Sequence, residues 1–154
     1  MSLTQLFYEQ RINTDIDNLW KFISSPKNLS KITPSYMDFK ILSKIPDEMY
    51  EGLIISYTVK PILGVKMNWV TEITHIKDKK YFVDEQRFGP YSLWHHKHFI
   101  KEVNGGIEME DIIHYKIPLG FIGYMMNYLI IKNKLGHIFE YRRKKLNEIF
   151  GELK

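Results

Sequence analysis

The chain has 154 residues, a length that suits one domain (residues 1–154) with one sizeable hydrophobic core. Its net charge of +4 is too small to indicate a nucleic-acid partner, and the lack of cysteine excludes disulfides, thiol nucleophiles and cysteine-ligated metals. No apolar run approaches the ~20 residues that cross a bilayer and no signal peptide is recognisable, so a cytoplasmic protein is expected.

The N-terminal part of the chain predicts one strand and two short helices. The strand is expected over residues 3–12, and Thr14 or Asp15 can cap the helix that follows it. Pro26 can open the second helix, because proline suits a first helical turn. The first helix is indicated by apolar residues at helical spacing, namely Ile16, Leu19, Trp20 and Ile23.

The middle of the chain predicts antiparallel strands joined by short turns. The expected strands are residues 37–44, 52–60, 65–75, 81–88, 93–103 and 107–117. From residue 119 to about residue 152 the pattern becomes that of one long helix, apolar nearly all round in its first half and amphipathic and basic in its second. This helix must bury its apolar stripe, and the concave face of a curved sheet is the available partner, with a cavity between the two.

The stretch from residue 82 to residue 98 is the most informative part of the sequence. Alternation places aromatic and ionisable side chains together on one face of two neighbouring strands. Burying ionisable groups is costly unless they are paired, so this face is typical of a pocket with a few placed polar groups. The residues that share the face are Phe82, Asp84, Gln86 and Phe88 on one strand and Trp94, His96 and His98 on the other.

Turn lengths predict which of these residues face each other. A three-residue turn at residues 89–91 sets Asp84 opposite His96. A two-residue turn at Gly105-Gly106 sets Ile113 opposite His98, with Asp111 diagonal to His98. We therefore expect one cluster inside the cavity, formed by Asp84, His96, His98 and Asp111, with Gln86, Tyr115 and Tyr57 at its edge.

Three interpretations of the predicted cluster stay open. It can be a satisfied hydrogen-bond network that orients side chains or a ligand head group. It can be an acid–base pair, because a carboxylate that orients an imidazole raises its affinity for a proton. It can also be a metal site, since both rings of His96-x-His98 lie on one side of the strand. We favour the network and expect neither a metal nor a cofactor.

The order of elements and several motifs resemble the START-like superfamily, also called SRPBCC or helix-grip, which includes the birch-pollen allergen type. The similarity covers nearly the whole chain and is nearest to the bacterial polyketide cyclase-like branch. It implies an α+β fold, with a curved antiparallel sheet of about seven strands wrapped around a long C-terminal helix and two short helices after the first strand. The motifs are Asn28-Leu-Ser-Lys-Ile-Thr-Pro34, Phe82-x-Asp84-x-Gln86-x-x-Gly-Pro-Tyr91, Trp94-x-His96-x-His98, Asp111-x-x-x-Tyr115-x-x-Pro118-x-Gly120 and Ile138-Phe-x-x-Arg142.

Members of that superfamily bind lipids, sterols, quinones or polyketides, and a minority catalyse cyclisation or dehydration. The resemblance thus implies a protein that binds, and transports or sequesters, a small hydrophobic or aromatic molecule. Asp84, His96, His98 and Asp111 are expected to anchor its polar head, with Gln86 beside them. The expected apolar wall consists of Met67, Trp69, Phe82, Phe88, Trp94, Tyr115, Met125 and Tyr128.

Two alternatives to a simple binding protein stay open. The first is a cyclase or dehydratase that uses His96 or His98 as acid–base and Asp84 or Asp111 as its orienting group. The second is a module that docks on a membrane or a partner protein through residues 121–131, with Ile62 and Leu63 as an opposing lip. Arg142 adjoins the helical stripe, where it either pairs with a carboxylate at the sheet edge or extends into solvent.

Overall fold

The computed structural model describes residues 3–61 and 64–153. The chain begins with strand β1, helix α1 and a 3-10 helix. A second 3-10 helix, six further strands and the C-terminal helical segment follow. Their bounds are β1 Thr4–Ile12, α1 Ile16–Ile23, the 3-10 helices Pro26–Ile32 and Ser35–Met37, β2 Lys40–Ile41, β3 Ile54–Val59, β4 Met67–Lys77, β5 Tyr81–Phe88, β6 Leu93–Val103, β7 Gly106–Lys116, α2 Gly120–Met126, a π-helical turn Asn127–Ile131 and α3 Lys132–Phe150.

All seven described strands form one antiparallel sheet in the order β1-β7-β6-β5-β4-β3-β2. Strands β2 to β7 are therefore sequential neighbours, as the short turns predict, and β1 pairs with the last strand. The curved sheet holds the C-terminal helix against its concave face, which confirms the predicted α+β helix-grip architecture. Among the described residues, no helix is both long enough and apolar enough to cross a membrane.

The helices are held to the sheet by aromatic and aliphatic side chains. Asp15 caps α1, since its carboxylate accepts a hydrogen bond from the Asn18 backbone N–H at 2.7 Å. Trp20 meets Phe82 of the sheet edge-on, with ring centroids 6.2 Å apart. On α3, Phe139 stacks on Tyr8 of β1 at 4.7 Å. The α3 residues that reach the core are Leu135, Ile138, Phe139 and Leu146.

One of the predicted strands is wrong in extent. The strand expected over residues 37–44 contains only Lys40–Ile41. Met37 ends a 3-10 helix, and Asp38 then takes a left-handed conformation with φ of 45°, which interrupts an extended chain. The long C-terminal helix is confirmed from Gly120 to Phe150, although the π-helical turn Asn127–Ile131 interrupts its regular winding.

The predicted register between β6 and β7 is also wrong. Val103 pairs with Gly106, so the two-residue turn is Asn104-Gly105, where Gly105 takes the positive φ of 86°. Gly106 is the first residue of β7, and a Cβ there would lie 2.2 Å from the Ile12 carbonyl oxygen. Its lack of a side chain therefore serves the close approach of β1 and not the turn. The shift sets His98 directly opposite Asp111.

Candidate ligand-binding site

A cavity of about 150 Å³ lies between the concave face of the sheet, the 3-10 helices and α3. Strands β3 to β7 supply one wall and α3 supplies the facing wall. Most of the lining side chains are aliphatic or aromatic, as is usual for small-molecule sites. A dry cavity of roughly this volume accommodates a molecule the size of benzene.

One end of the cavity is walled by aromatic rings. The indole of Trp69 lies 5.4 Å from that of Trp94, edge to face. Tyr57 stacks beside Trp69 at 5.9 Å, and Tyr91 meets it at 5.5 Å. Burial strongly raises the pKa values of both tyrosines, so their hydroxyl groups stay protonated. This end offers ring faces for contact with an apolar ligand.

The four predicted polar residues meet in one closed network, which we call the Asp–His quartet: Asp84, His96, His98 and Asp111. His96 Nε2 lies 2.8 Å from Asp111 Oδ1, and His98 Nδ1 lies 2.9 Å from the same oxygen. His98 Nε2 lies 2.7 Å from Asp84 Oδ2. His96 Nδ1 closes the ring of contacts at 3.5 Å from Asp84 Oδ2. Strand pairing sets Asp84 of β5 opposite His96 and Asp111 of β7 opposite His98, which brings the two carboxylates to either side of the imidazoles.

The positive charge of the quartet lies on His98. Burial by itself would lower the pKa of His98, but hydrogen bonds to Asp111 and Asp84 outweigh burial and raise that pKa. The pKa of His96 is lowered to about 4, first by burial and then by the positive charge of His98. Burial would raise the pKa values of Asp84 and Asp111, yet the facing histidines lower both. Near neutral pH the quartet therefore contains two carboxylates, one imidazolium and one neutral imidazole.

The surroundings of the quartet complete its hydrogen bonds. Trp94 Nε1 donates to Asp84 Oδ1 at 3.3 Å, so both oxygens of Asp84 are used. Phe82 stacks on the His98 ring with centroids 4.0 Å apart. Asp84, His96 and His98 face the cavity, while Asp111 lies behind the imidazoles. These contacts fit the interpretation of a satisfied network that forms a rigid polar floor.

A cation could use part of the same network. Asp84, His96 and His98 each present a ligand atom, and these atoms lie within 4.8 Å of one another. The distance between His98 Nε2 and Asp84 Oδ2, 2.7 Å, is however that of a hydrogen bond. A metal ion would have to displace the proton of that bond, so the expectation that no metal binds here stays a prediction.

The structure places the expected apolar wall only in part around the cavity. Trp69, Phe82 and Trp94 line it. Tyr115 is buried next to it, and its hydroxyl donates to Asn127 Oδ1 at 2.7 Å. Gln86 closes the β5–β6 turn instead, because its amide nitrogen donates to the Tyr91 carbonyl at 2.6 Å and its oxygen accepts from the Tyr91 N–H.

Four residues expected in the wall lie elsewhere. Phe88 is 63% exposed, because a bulge in β5 sets it opposite Val70, whose side chain lies on the outer face of β4. Met125 and Tyr128 are exposed, since the π-helical turn shifts the phase of the apolar stripe before α3 begins. Met67 is half-buried at the start of β4, outside the cavity.

Several lining residues were not expected from the sequence. Leu135, Ile138 and Phe139 of α3 face the cavity, although their place on the helical stripe was a usable signal. Arg142 is half-buried and lines the cavity, with its guanidinium 5.1 Å from the centre of the Phe139 ring. Within the described residues it forms no salt bridge, so the predicted pair with a carboxylate is wrong. The expected lip at Ile62 and Leu63 lies outside the described residues.

No protein-family model matches the chain, and no curated protein does. Among solved structures, protein CV1439 from Chromobacterium violaceum is similar with a TM-score of 0.73, at 10% identity over 97% of this chain and 99% of that one. Ginseng (Panax ginseng) major latex-like protein 151 has a TM-score of 0.67, at 9% identity over 96% and 97%. A START superfamily protein from Mycobacterium smegmatis has a TM-score of 0.65, at 11% identity over 96% and 99%. Together with the sheet that encloses the C-terminal helix, these likenesses show that the chain has the START-like, helix-grip fold.

Proposed function

We propose that this protein binds a small hydrophobic or aromatic molecule in the cavity between the sheet and α3, and so transports or sequesters it. The observation that carries this proposal is the hollow itself, about 150 Å³ in volume and walled largely by apolar side chains. Native interiors are packed with few voids larger than a water molecule, so an apolar hollow of this size is a binding site by default. The Asp–His quartet serves as the rigid floor that orients the ligand.

Native mass spectrometry of protein purified from its own host tests this proposal. A bound molecule of defined mass should accompany the folded protein and leave it on denaturation. The matched variant is Ile55→Phe, which adds volume at a lining position of the cavity wall. The proposal predicts that this variant loses the molecule. Protein that carries nothing, or a variant that retains the molecule at equal occupancy, would contradict it.

The protonation states of the quartet favour binding over acid–base catalysis. A general base works best with a pKa near the working pH, whereas burial lowers the pKa of His96 to about 4. His98 has both ring nitrogens engaged by carboxylates. A cyclase or dehydratase would need one of these imidazoles to take a proton from its substrate. His96→Gln separates the hypotheses, because it should change ligand affinity or stability only, whereas an enzyme would lose its turnover.

A second candidate function, docking on a lipid surface, is supported by an exposed apolar segment. Phe121 is 76% exposed and Leu129 59%, and Ile122 and Tyr124 lie exposed between them. Apolar side chains at this density are unusual on a surface that faces only water. Flotation with neutral and anionic liposomes tests the candidate, with Phe121→Ser as the matched variant. A protein that floats with neither the neutral nor the anionic liposomes would exclude membrane docking.

A further inference from the structure

Two hydrogen-bond donors of the cavity wall remain unused after the quartet is complete. Trp69 Nε1 and Arg142 Nε are buried and have no hydrogen-bond partner within the described ranges. Trp69 is 7% exposed, so its indole is shielded from bulk solvent. A buried donor without an acceptor carries its full desolvation cost, which is why such groups are rare in native proteins. Both side chains line the same cavity, one from the sheet and one from α3.

Acceptors near Trp69 are already engaged. The two oxygens of Asp84 accept from Trp94 and His98. The hydroxyl groups of Tyr57 and Thr71 bond each other at 3.1 Å. The neighbours that touch the Trp69 indole are themselves aromatic rings, which give packing contacts but no strong acceptor. No described wall atom accepts from the indole N–H, so a bound molecule could supply the acceptor.

Arg142 brings a positive charge to the same cavity, and this charge helps to lower the pKa of Asp84 without forming a salt bridge with it. Within residues 3–61 and 64–153 it has no carboxylate within salt-bridge distance, whereas its neighbour Arg143 pairs with Glu140 at 2.7 Å. The Arg142 guanidinium lies over the Phe139 ring, and its Nε atom is buried. Guanidinium groups that leave water are normally matched by a carboxylate or phosphate. Lys134 adds a second cation to the lining.

From these two donors we infer that the ligand is a small carboxylic acid, bound as its carboxylate by Arg142 and by the indole N–H of Trp69. This inference rests on the proposed binding function and names the chemical class of its ligand. A carboxylate has two acceptor oxygens and one negative charge, so it can meet an indole donor and a guanidinium at once. The apolar remainder of the acid would fill the hollow among the aromatic and aliphatic walls. The quartet then shapes the floor without binding the head group.

Four compounds that share one phenylpropyl body test the inference: phenylpropanoate, phenylpropanol, phenylpropylamine and propylbenzene. Binding is followed by the fluorescence of Trp69 and Trp94 and by calorimetry. We expect the carboxylate to bind at least about tenfold tighter than the alcohol, as for hydrogen bonds to charged groups. Arg142→Met should weaken carboxylate binding about tenfold and leave propylbenzene unchanged. Arg143→Met, in the same helix and outside the cavity, should leave all four affinities unchanged.

Trp69→Phe gives an independent test that does not depend on how well the arginine variant folds. It keeps an aromatic ring and removes only the N–H, so carboxylate affinity should fall about threefold or more. Equal binding of all four compounds, with no effect of either substitution, would overturn the inference and leave the binding function standing. Tighter binding of the amine would also overturn it, because Asp84 would then be the anchor. Binding of none of the four would overturn the binding function as well.

Discussion

The substitution Asp111→Asn tests whether the buried quartet contributes to stability as its geometry requires. Asp111 Oδ1 accepts hydrogen bonds from both His96 and His98, at 2.8 and 2.9 Å. Removing one partner of a buried ion pair costs about 3–5 kcal/mol, because the other charge is left uncompensated. Asparagine keeps the volume and one acceptor oxygen. We therefore expect a loss near the lower end, about 3 kcal/mol, or about 6–12 °C in Tm for a chain of this size.

The loss of stability in Asp111→Asn should depend on pH in a defined direction. Because the folded pKa of His98 is raised, its protonation stabilises the fold fully below the unfolded value of about 6.5, and this stabilisation is lost as pH rises through the folded pKa. Asp111→Asn removes part of that stabilisation. Its cost should therefore be larger at about pH 6 than at about pH 9, because the stabilisation by the His98 charge weakens as pH rises.

Urea unfolding at both pH values, with the m-value checked, measures these free energies. Glu110→Gln is the matched control, since Glu110 is the preceding residue of β7 and has only a 3.5 Å contact with the exposed Lys101. We expect that control to stay within about 0.5 kcal/mol of the parent protein. Equal small losses for both variants at both pH values would refute the idea that the quartet is a buried, charged network.

Two further predictions concern the histidines. Since burial lowers the pKa of His96 to about 4 in the folded protein, the unfolded chain binds a proton that the folded protein does not, and stability should fall between about pH 6.5 and pH 4, by up to about 3 kcal/mol. Urea midpoints measured across this range should fall with pH in the parent protein and stay constant in His96→Gln. A parent protein whose midpoints also stay constant would contradict the prediction. Calorimetric titration with zinc should give no heat above buffer, because His98 donates through both ring nitrogens; a saturable heat that His98→Gln abolishes would instead establish a metal site.

Side-chain alternation was sufficient to predict the quartet. Strands β5 and β6 have the bounds expected from their pattern, so the period of two placed Asp84, His96 and His98 on the inner face. The pairing of Asp84 with His96 followed from the length of the turn between them. A one-residue error would have reversed every side chain, which is why a buried face constrains the register so strongly.

Where backbone irregularities intervene, the same periodicity fails. Consecutive glycines at residues 105 and 106 allowed two turn positions, and the close approach of Ile12, a contact far away in sequence, decides between them. The bulge that turns Phe88 outward and the π-helical turn that exposes Tyr128 each change the phase of a repeat without a sequence signal. Arg142 is another such case. Its position on the helix did not predict that its side chain would line the cavity over the Phe139 ring.

Xenon binding tests the central claim, that an apolar hollow remains between the sheet and α3, without any assumption about the natural ligand. Xenon enters dry apolar cavities of this size. If the hollow is present, crystals under xenon pressure should show a strong electron-density peak for xenon beside Trp69, Phe82 and Leu135, which line the cavity. The peak should be absent in Ile55→Phe. A well-ordered crystal with no xenon at that place and side chains that fill the space would contradict the claim.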